Sequence, residues 1–225
     1  MSKFLYPIKN LKIEPWIKYW LFKKTVGSIL PAEYQQVDYI ESSGTQYIDT
    51  GYKPNERSEY ELDFEFAEFY ESITGFVFGS RISGTQEATG FTANVSSNNK
   101  YNYLGRGSFY AEIRNNELSL NTNYNFKIKN DGFIVNGITK DTTQNTLTGI
   151  ATFNLYIFNS NNNGSLSTGS KIKLKKFKIY ENNVTVKNFI PCYRKSDNVV
   201  GLYDLVNKVF YTNAGTGAFT YGSVV

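Results

Sequence analysis

The chain has 225 residues, 40% of them apolar and 16% aromatic, with a formal net charge of +4 and no histidine. The missing imidazole excludes Ser-His-Asp chemistry, histidine proton shuttles and histidine metal ligands. A single cysteine, Cys192, excludes an intrachain disulfide and makes a thiolate metal site implausible.

Residues 1–30 carry six lysines against one acid, Glu14, so this leader holds +5 and the rest of the chain −1. Lysines 9, 12 and 18 interrupt any signal-peptide core, and no stretch approaches the roughly 20 apolar residues of a membrane span. Glu14-Pro15 suits a helix start, after which Trp16, Ile17, Trp20 and Leu21 recur at helical spacing; Gly27 can end it. A short helix is therefore predicted in the leader. With Phe4, Tyr6 and Phe22, these side chains need something to bury against. Three readings compete: docking on a neighbouring subunit, which we favour, packing on the chain's own domain, or lying on a membrane surface. Nucleic acid is not an expected partner, because the lysines are spread out and the leader lacks arginine.

From residue 31 onward the pattern is of strands. YIESSGTQYIDTG (39–51) opens the domain, with a strand predicted over 47–52. In EYELDFEF (59–66) Tyr60, Leu62, Phe64 and Phe66 share one face, and Glu59, Glu61, Asp63 and Glu65 the other. Further strands are predicted over 76–82, 91–95, 109–113, 153–158 and 184–189. YNFKIKNDGFIVNG reads as a hairpin turning at Asn130-Asp131-Gly132. NSNNNGSLSTGS (159–170) reads as a polar loop. In KIKLKKFKIY the inward parity of Ile172 and Leu174 changes after Lys175-Lys176 to that of Phe177 and Ile179, which predicts a β-bulge. The acidic strand 59–66 and the basic strand 171–179 are expected side by side, where opposite charges meet at roughly 0.2–1 kcal/mol per pair. GLYDLVNKVFYTN predicts two short strands with a turn near Asn207-Lys208. Asp197 and Asp204 are expected to cap turns, and Cys192 to fill a small buried space.

The expected fold is therefore all-β: a two-sheet antiparallel jelly-roll sandwich over residues 31–225, preceded by an anchoring extension, residues 1–30. Two blocks, residues 39–51 and FIPCYRKSDNVVGLYDLVNKVFYTNAGTGAF (189–219), resemble the ends of the concanavalin A-like, or laminin G-like, jelly roll of bacteriophage and prophage virion structural proteins. The resemblance covers about residues 30–222. It implies a virion location after synthesis in the bacterial host cytoplasm, and other virion proteins, capsid or tail subunits, as partners. It further implies a capsid-decorating, tail or baseplate role with adhesion to host-surface glycans as an added task.

Two alternatives share this fold. A free-standing glycan-binding adhesin would use Tyr101, Asn102, Tyr103 and Arg106, where rings stack on sugar faces and polar groups bond hydroxyls. Alternating tyrosines are also ordinary in a Tyr-rich sheet. A retaining glucanase would use ELDFE, with Glu61 as nucleophile, Glu65 as acid/base and Asp63 orienting them. Glu59 extends the acidic alternation beyond that motif, and both tryptophans lie in the leader. No catalytic residues are assigned, and neither a metal nor a cofactor is expected, since no Asp-rich loop supplies converging oxygen ligands.

Overall fold

The computed structural model describes residues 29–69, 74–83, 87–96, 99–107, 109–114, 118–129, 132–141 and 149–225; at 74, 93–96, 99–107, 109–114 and 141 it describes the backbone alone. The leader's predicted helix and its docking residues Phe4, Tyr6, Trp16, Ile17, Trp20, Leu21 and Phe22 lie outside this set.

The described residues form nineteen strands. The first seven are β1 (Tyr34–Gln36), β2 (Ile40–Glu41), β3 (Ile48–Asp49), β4 (Ser58–Phe66), β5 (Thr74–Arg81), β6 (Ala88–Ser96) and β7 (Asn99–Gly107). Then come β8 (Phe109–Arg114), β9 (Asn123–Lys129), β10 (Gly132–Val135), β11 (Ile138–Asp141), β12 (Tyr156–Ile157), β13 (Ser160–Asn162) and β14 (Ser165–Leu166). The last five are β15 (Ile172–Glu181), β16 (Val184–Arg194), β17 (Val200–Asp204), β18 (Val209–Thr212) and β19 (Thr220–Tyr221).

They make two sheets. The larger runs β11-β10-β9-β4-β15-β16-β17-β18, with β1 on β16 and with β2 joining β15 to β19. The smaller runs β14-β13-β5-β6-β7-β8, with β12 joining β5 to β3. Pairing is antiparallel except between β13 and β5. The early strand β4 lies beside the late strand β15, which is the chain crossing of a jelly roll.

The inward faces are rich in phenylalanine, and this aromatic layer joins the sheets. Tyr60 of β4 lies 5.1 Å from Phe78 of β5, Phe78 lies 5.1 Å from Phe177 of β15, and Phe91 of β6 lies 4.8 Å from Phe126 of β9. All of these side chains are buried. At about 25 cal/mol per Å² of apolar area, burying rings of this size is the main stabilising term. A second, smaller cluster on β16 and β17 holds Leu30, Cys192 and Tyr203, with Tyr34, Ile190 and Phe210 packed around it.

The predicted pairing of the acidic and basic strands is present, from Ile172↔Phe66 to Glu181↔Ser58. The predicted bulge is present too. The register skips a residue between Leu174 and Lys176, and Ile172, Leu174, Phe177 and Ile179 are all fully buried. The hairpin of β9 and β10 forms as expected, its turn residues 130 and 131 lying outside the described set.

Three expectations are corrected. Residues 159–170 are not a loop: they contain β13 and β14, and Asn159, Ser160, Asn161 and Ser170 are buried. Asn159 Oδ1 accepts the amides of Ser160 and Ser167, so this buried side chain is satisfied by the local backbone. The strands predicted over 47–52 and 153–158 shrink to two residues each, because the Thr50 hydroxyl and amide both bond the Leu155 carbonyl outside regular pairing. The strand predicted over 184–189 continues through Pro191 to Arg194.

Candidate functional site

The outer face of the large sheet is built from alternating acids of β4 and bases of β9 and β15. Glu61 faces Lys127 on one side and Lys178 on the other in register, and the bulge turns both Lys175 and Lys176 toward β4. Lys176 Nζ donates to Glu61 Oε1 at 2.5 Å and lies 3.7 Å from Asp63. Tyr180 donates its hydroxyl to Glu61 Oε2 at 2.7 Å. Glu65 is ion-paired with Lys175 and lies 4.0 Å from Lys173.

Burial alone would raise the Glu61 pKa. The hydrogen bonds from Lys176 and Tyr180, with the charges of Lys176 and Lys127, outweigh it and hold the carboxyl at about 2. Burial and the Glu61 carboxylate push the Tyr180 phenol upward. A retaining glycosidase pairs its nucleophile with a second carboxyl that must donate a proton, an office favoured by apolar surroundings or a neighbouring anion. Glu65 instead has two ammonium groups beside it. The ELDFE carboxylates are thus engaged in cross-strand pairing, which is what their alternation implies.

Beside this ladder is a cleft of about 180 Å³, lined by Glu59, Tyr60, Glu61, Lys127, Lys129, Tyr180 and Asn183. Its acids and lysines balance, and its walls offer hydrogen-bonding groups. Among the described residues no group of three or more His, Cys, Asp or Glu side chains could hold a metal ion.

The two tempting aspartates of the second block hold turns. Asp197 accepts from Arg194 Nη2 at 2.6 Å and from the Val199 amide at 3.2 Å. Asp204 is fully buried; its Oδ1 accepts the amides of Asn188 and Val206, each at 3.0 Å, and its Oδ2 accepts Asn207 Nδ2 at 2.7 Å. Lys187 Nζ is 3.3 Å from Oδ2. Burial acts to raise the Asp204 pKa, but these donors and the lysine hold it below the ordinary carboxylate range.

The two blocks that carry the family resemblance, remote in sequence, close one end of the sandwich together. Ala214 donates its amide to the Tyr47 carbonyl at 2.9 Å and Thr216 donates to that of Thr45 at 3.2 Å, and just after the second block β19 pairs with β2. Asn213 Oδ1 accepts the Tyr47 amide at 3.1 Å and the Gly215 amide at 2.8 Å. A Cβ at Gly215 would collide with the Thr45 carbonyl and crowd the Tyr47 ring, so the glycine of NAGTG is there for close approach. Tyr47 is thereby seated against Tyr156, with ring centroids 4.7 Å apart.

Of the sequence-predicted binding residues, Tyr101, Asn102, Tyr103 and Arg106 fall on β7, whose backbone pairs with β6 and β8; their side chains lie outside the described set. The Tyr47–Tyr156 pair escaped the sequence reading. Its only signal was the alternation of Tyr47, Ile48 and Asp49 in the first block.

No family model matches the chain, and no curated protein matches it. Among solved structures, the CBM40 of Ruminococcus gnavus IT-sialidase bound to alpha2,3 sialyllactose is similar at 14% identity and a TM-score of 0.43, over 68% of this chain and 92% of that one. The same module bound to alpha2,6 sialyllactose is similar at 13% identity and 0.43, over 68% and 93%. The native heptameric SAP-like pentraxin from Limulus polyphemus is similar at 11% identity and 0.48, over 84% and 94%. At these values the likenesses assign no residue and no ligand to this chain.

Proposed function

We propose that this chain is a bacteriophage virion structural protein, capsid-decorating or part of the tail or baseplate. In this reading the jelly roll is displayed on the particle and adheres to host-surface glycans, while residues 1–30 fix it to neighbouring subunits. The observation that carries the reading is the joining of residues 39–51 and 189–219 into one structural unit through the backbone of Thr45 and Tyr47. These are the blocks that resemble virion proteins, and Asn213 and Gly215 serve that junction. Pairing of the ELDFE carboxylates with lysines supports binding over glycoside hydrolysis.

The test is mass spectrometry of purified particles from a host producing the full chain or a variant lacking residues 1–29. The expected result is the full chain in particles and the shortened one absent from them. Absence of the full chain from particles overturns the structural role; if that chain nonetheless retains glycans, a free-standing adhesin takes its place.

A further inference from the structure

On the outer face of the small sheet, Tyr47, Asp49, Asn154 and Tyr156 come together. Their chain neighbours Ile48, Leu155 and Ile157 are fully buried, so alternation turns these four outward. The rings of Tyr47 and Tyr156 are inclined at 34° with centroids 4.7 Å apart. Asp49 is the register partner of Tyr156, which sets their side chains next to each other. Asn154 Nδ2 donates to Asp49 Oδ1 at 3.1 Å, and the Gly51 amide donates to the same oxygen at 2.9 Å. All four side chains are half-exposed.

We propose that this constellation is a carbohydrate subsite for a neutral pyranose. The proposal rests on the adhesive reading above and gives it a location. Two tilted rings offer apolar faces on which the C–H face of a sugar stacks. The Asp49 carboxylate accepts hydrogen bonds from adjacent hydroxyls. Asn154 has its amide N–H on Asp49; its side chain has no other partner among the described residues, which leaves its carbonyl oxygen free as a further acceptor. No cation pairs with Asp49 among the described residues, so its charge disfavours sugars that bear a carboxylate.

The geometry is fixed before any ligand arrives. Tyr47 is clamped through its amide and carbonyl by Asn213 and Ala214, and Asp49 is clamped by Asn154 and Gly51. Little ordering is left to oppose binding. This also gives Asn213 and Gly215 of NAGTG a purpose beyond closing the fold, since they seat one wall of the subsite.

The experiment uses the full chain on an array of neutral hexose and hexosamine oligosaccharides and their sialylated counterparts. Calorimetry follows with the best-retained neutral glycan. Neutral glycans are expected to be preferred, and Tyr156→Ala to weaken binding about tenfold with an unchanged fold by circular dichroism. Asp49→Asn is expected to weaken neutral glycans and to narrow the discrimination against sialylated ones, a change that a merely structural aspartate would not cause. Neutral binding untouched by both variants, or retention of sialylated glycans alone, overturns this subsite and leaves adhesion standing. Retention of no glycan at all overturns both.

Discussion

Replacing Asp204 with alanine removes the charge at the centre of the second block and leaves three donors and a lysine behind. Asp204 is fully buried, and Lys187, its ion-pair partner at 3.3 Å, is only 13% exposed. The amides of Asn188 and Val206 lose their side-chain acceptor, and the ammonium of Lys187 keeps the Tyr211 hydroxyl, to which it donates at 2.7 Å, but no anion among the described residues. Breaking a buried pair from one side costs about 3–5 kcal/mol. For a domain of this size that lowers Tm by roughly 6–20 °C. Asp204→Asn keeps an acceptor and loses the charge, so its loss should be smaller, about 2 kcal/mol. Because the native carboxyl is held below its ordinary range, its contribution is complete above the unfolded value, about pH 3.9, and fades as pH falls through the lower native value. The gap between wild type and Asp204→Asn should therefore narrow below about pH 4. Thermal and urea unfolding followed by circular dichroism measure both effects. A Tm change under about 2 °C for the alanine variant at pH 7, or a gap that widens on acidification, would refute the reasoning.

Deleting Lys175, the residue left unopposed between Leu174 and Lys176, should be tolerated, costing less than about 2 kcal/mol, because the alternation of β15 then runs straight. Deleting Lys178 from the regular part of the strand should instead turn Ile179 outward and leave the chain insoluble or unfolded in a solubility and circular-dichroism assay. Cys192, pushed up to about 12 by burial, should resist a thiol-reactive dye at pH 8 and react fully only in denaturant. The Glu61 carboxyl, held at about 2, contributes stability above the unfolded value near pH 4.3 and loses it as pH falls toward 2; Glu61→Gln should remove that part of the acid transition in a pH titration of Tm.

Much of the architecture could be read from residue pattern because burial imposes it. A strand with one wet face must alternate, so Tyr60 to Phe66 and Ile172 to Ile179 declared their inward sides, and the change of parity at Lys175 declared the bulge. Opposite charges on those two strands identified them as neighbours, since each charged row alone repels itself. Residues 159–170 were illegible for the opposite reason. Asn159 and Asn161 are buried by a local fit between side-chain oxygens and backbone amides, and alternation does not encode such a fit. The Tyr47–Tyr156 pair was hidden because β3 and β12 meet only through tertiary register. Composition instead drew attention to Tyr101 and Tyr103, which stand close together in the chain.

Val37 bridges to Val224, the Gly222 amide reaches the Tyr39 carbonyl, and the Val225 amide reaches that of Gln36. The polypeptide thus comes into the jelly roll and goes out of it through a single doorway. A unit wired in this way can be spliced into a loop of another protein, or hung from it by a short strap, without prying its sheets apart. Its opposite pole then stands farthest from the carrier, where sequence change costs the attachment nothing.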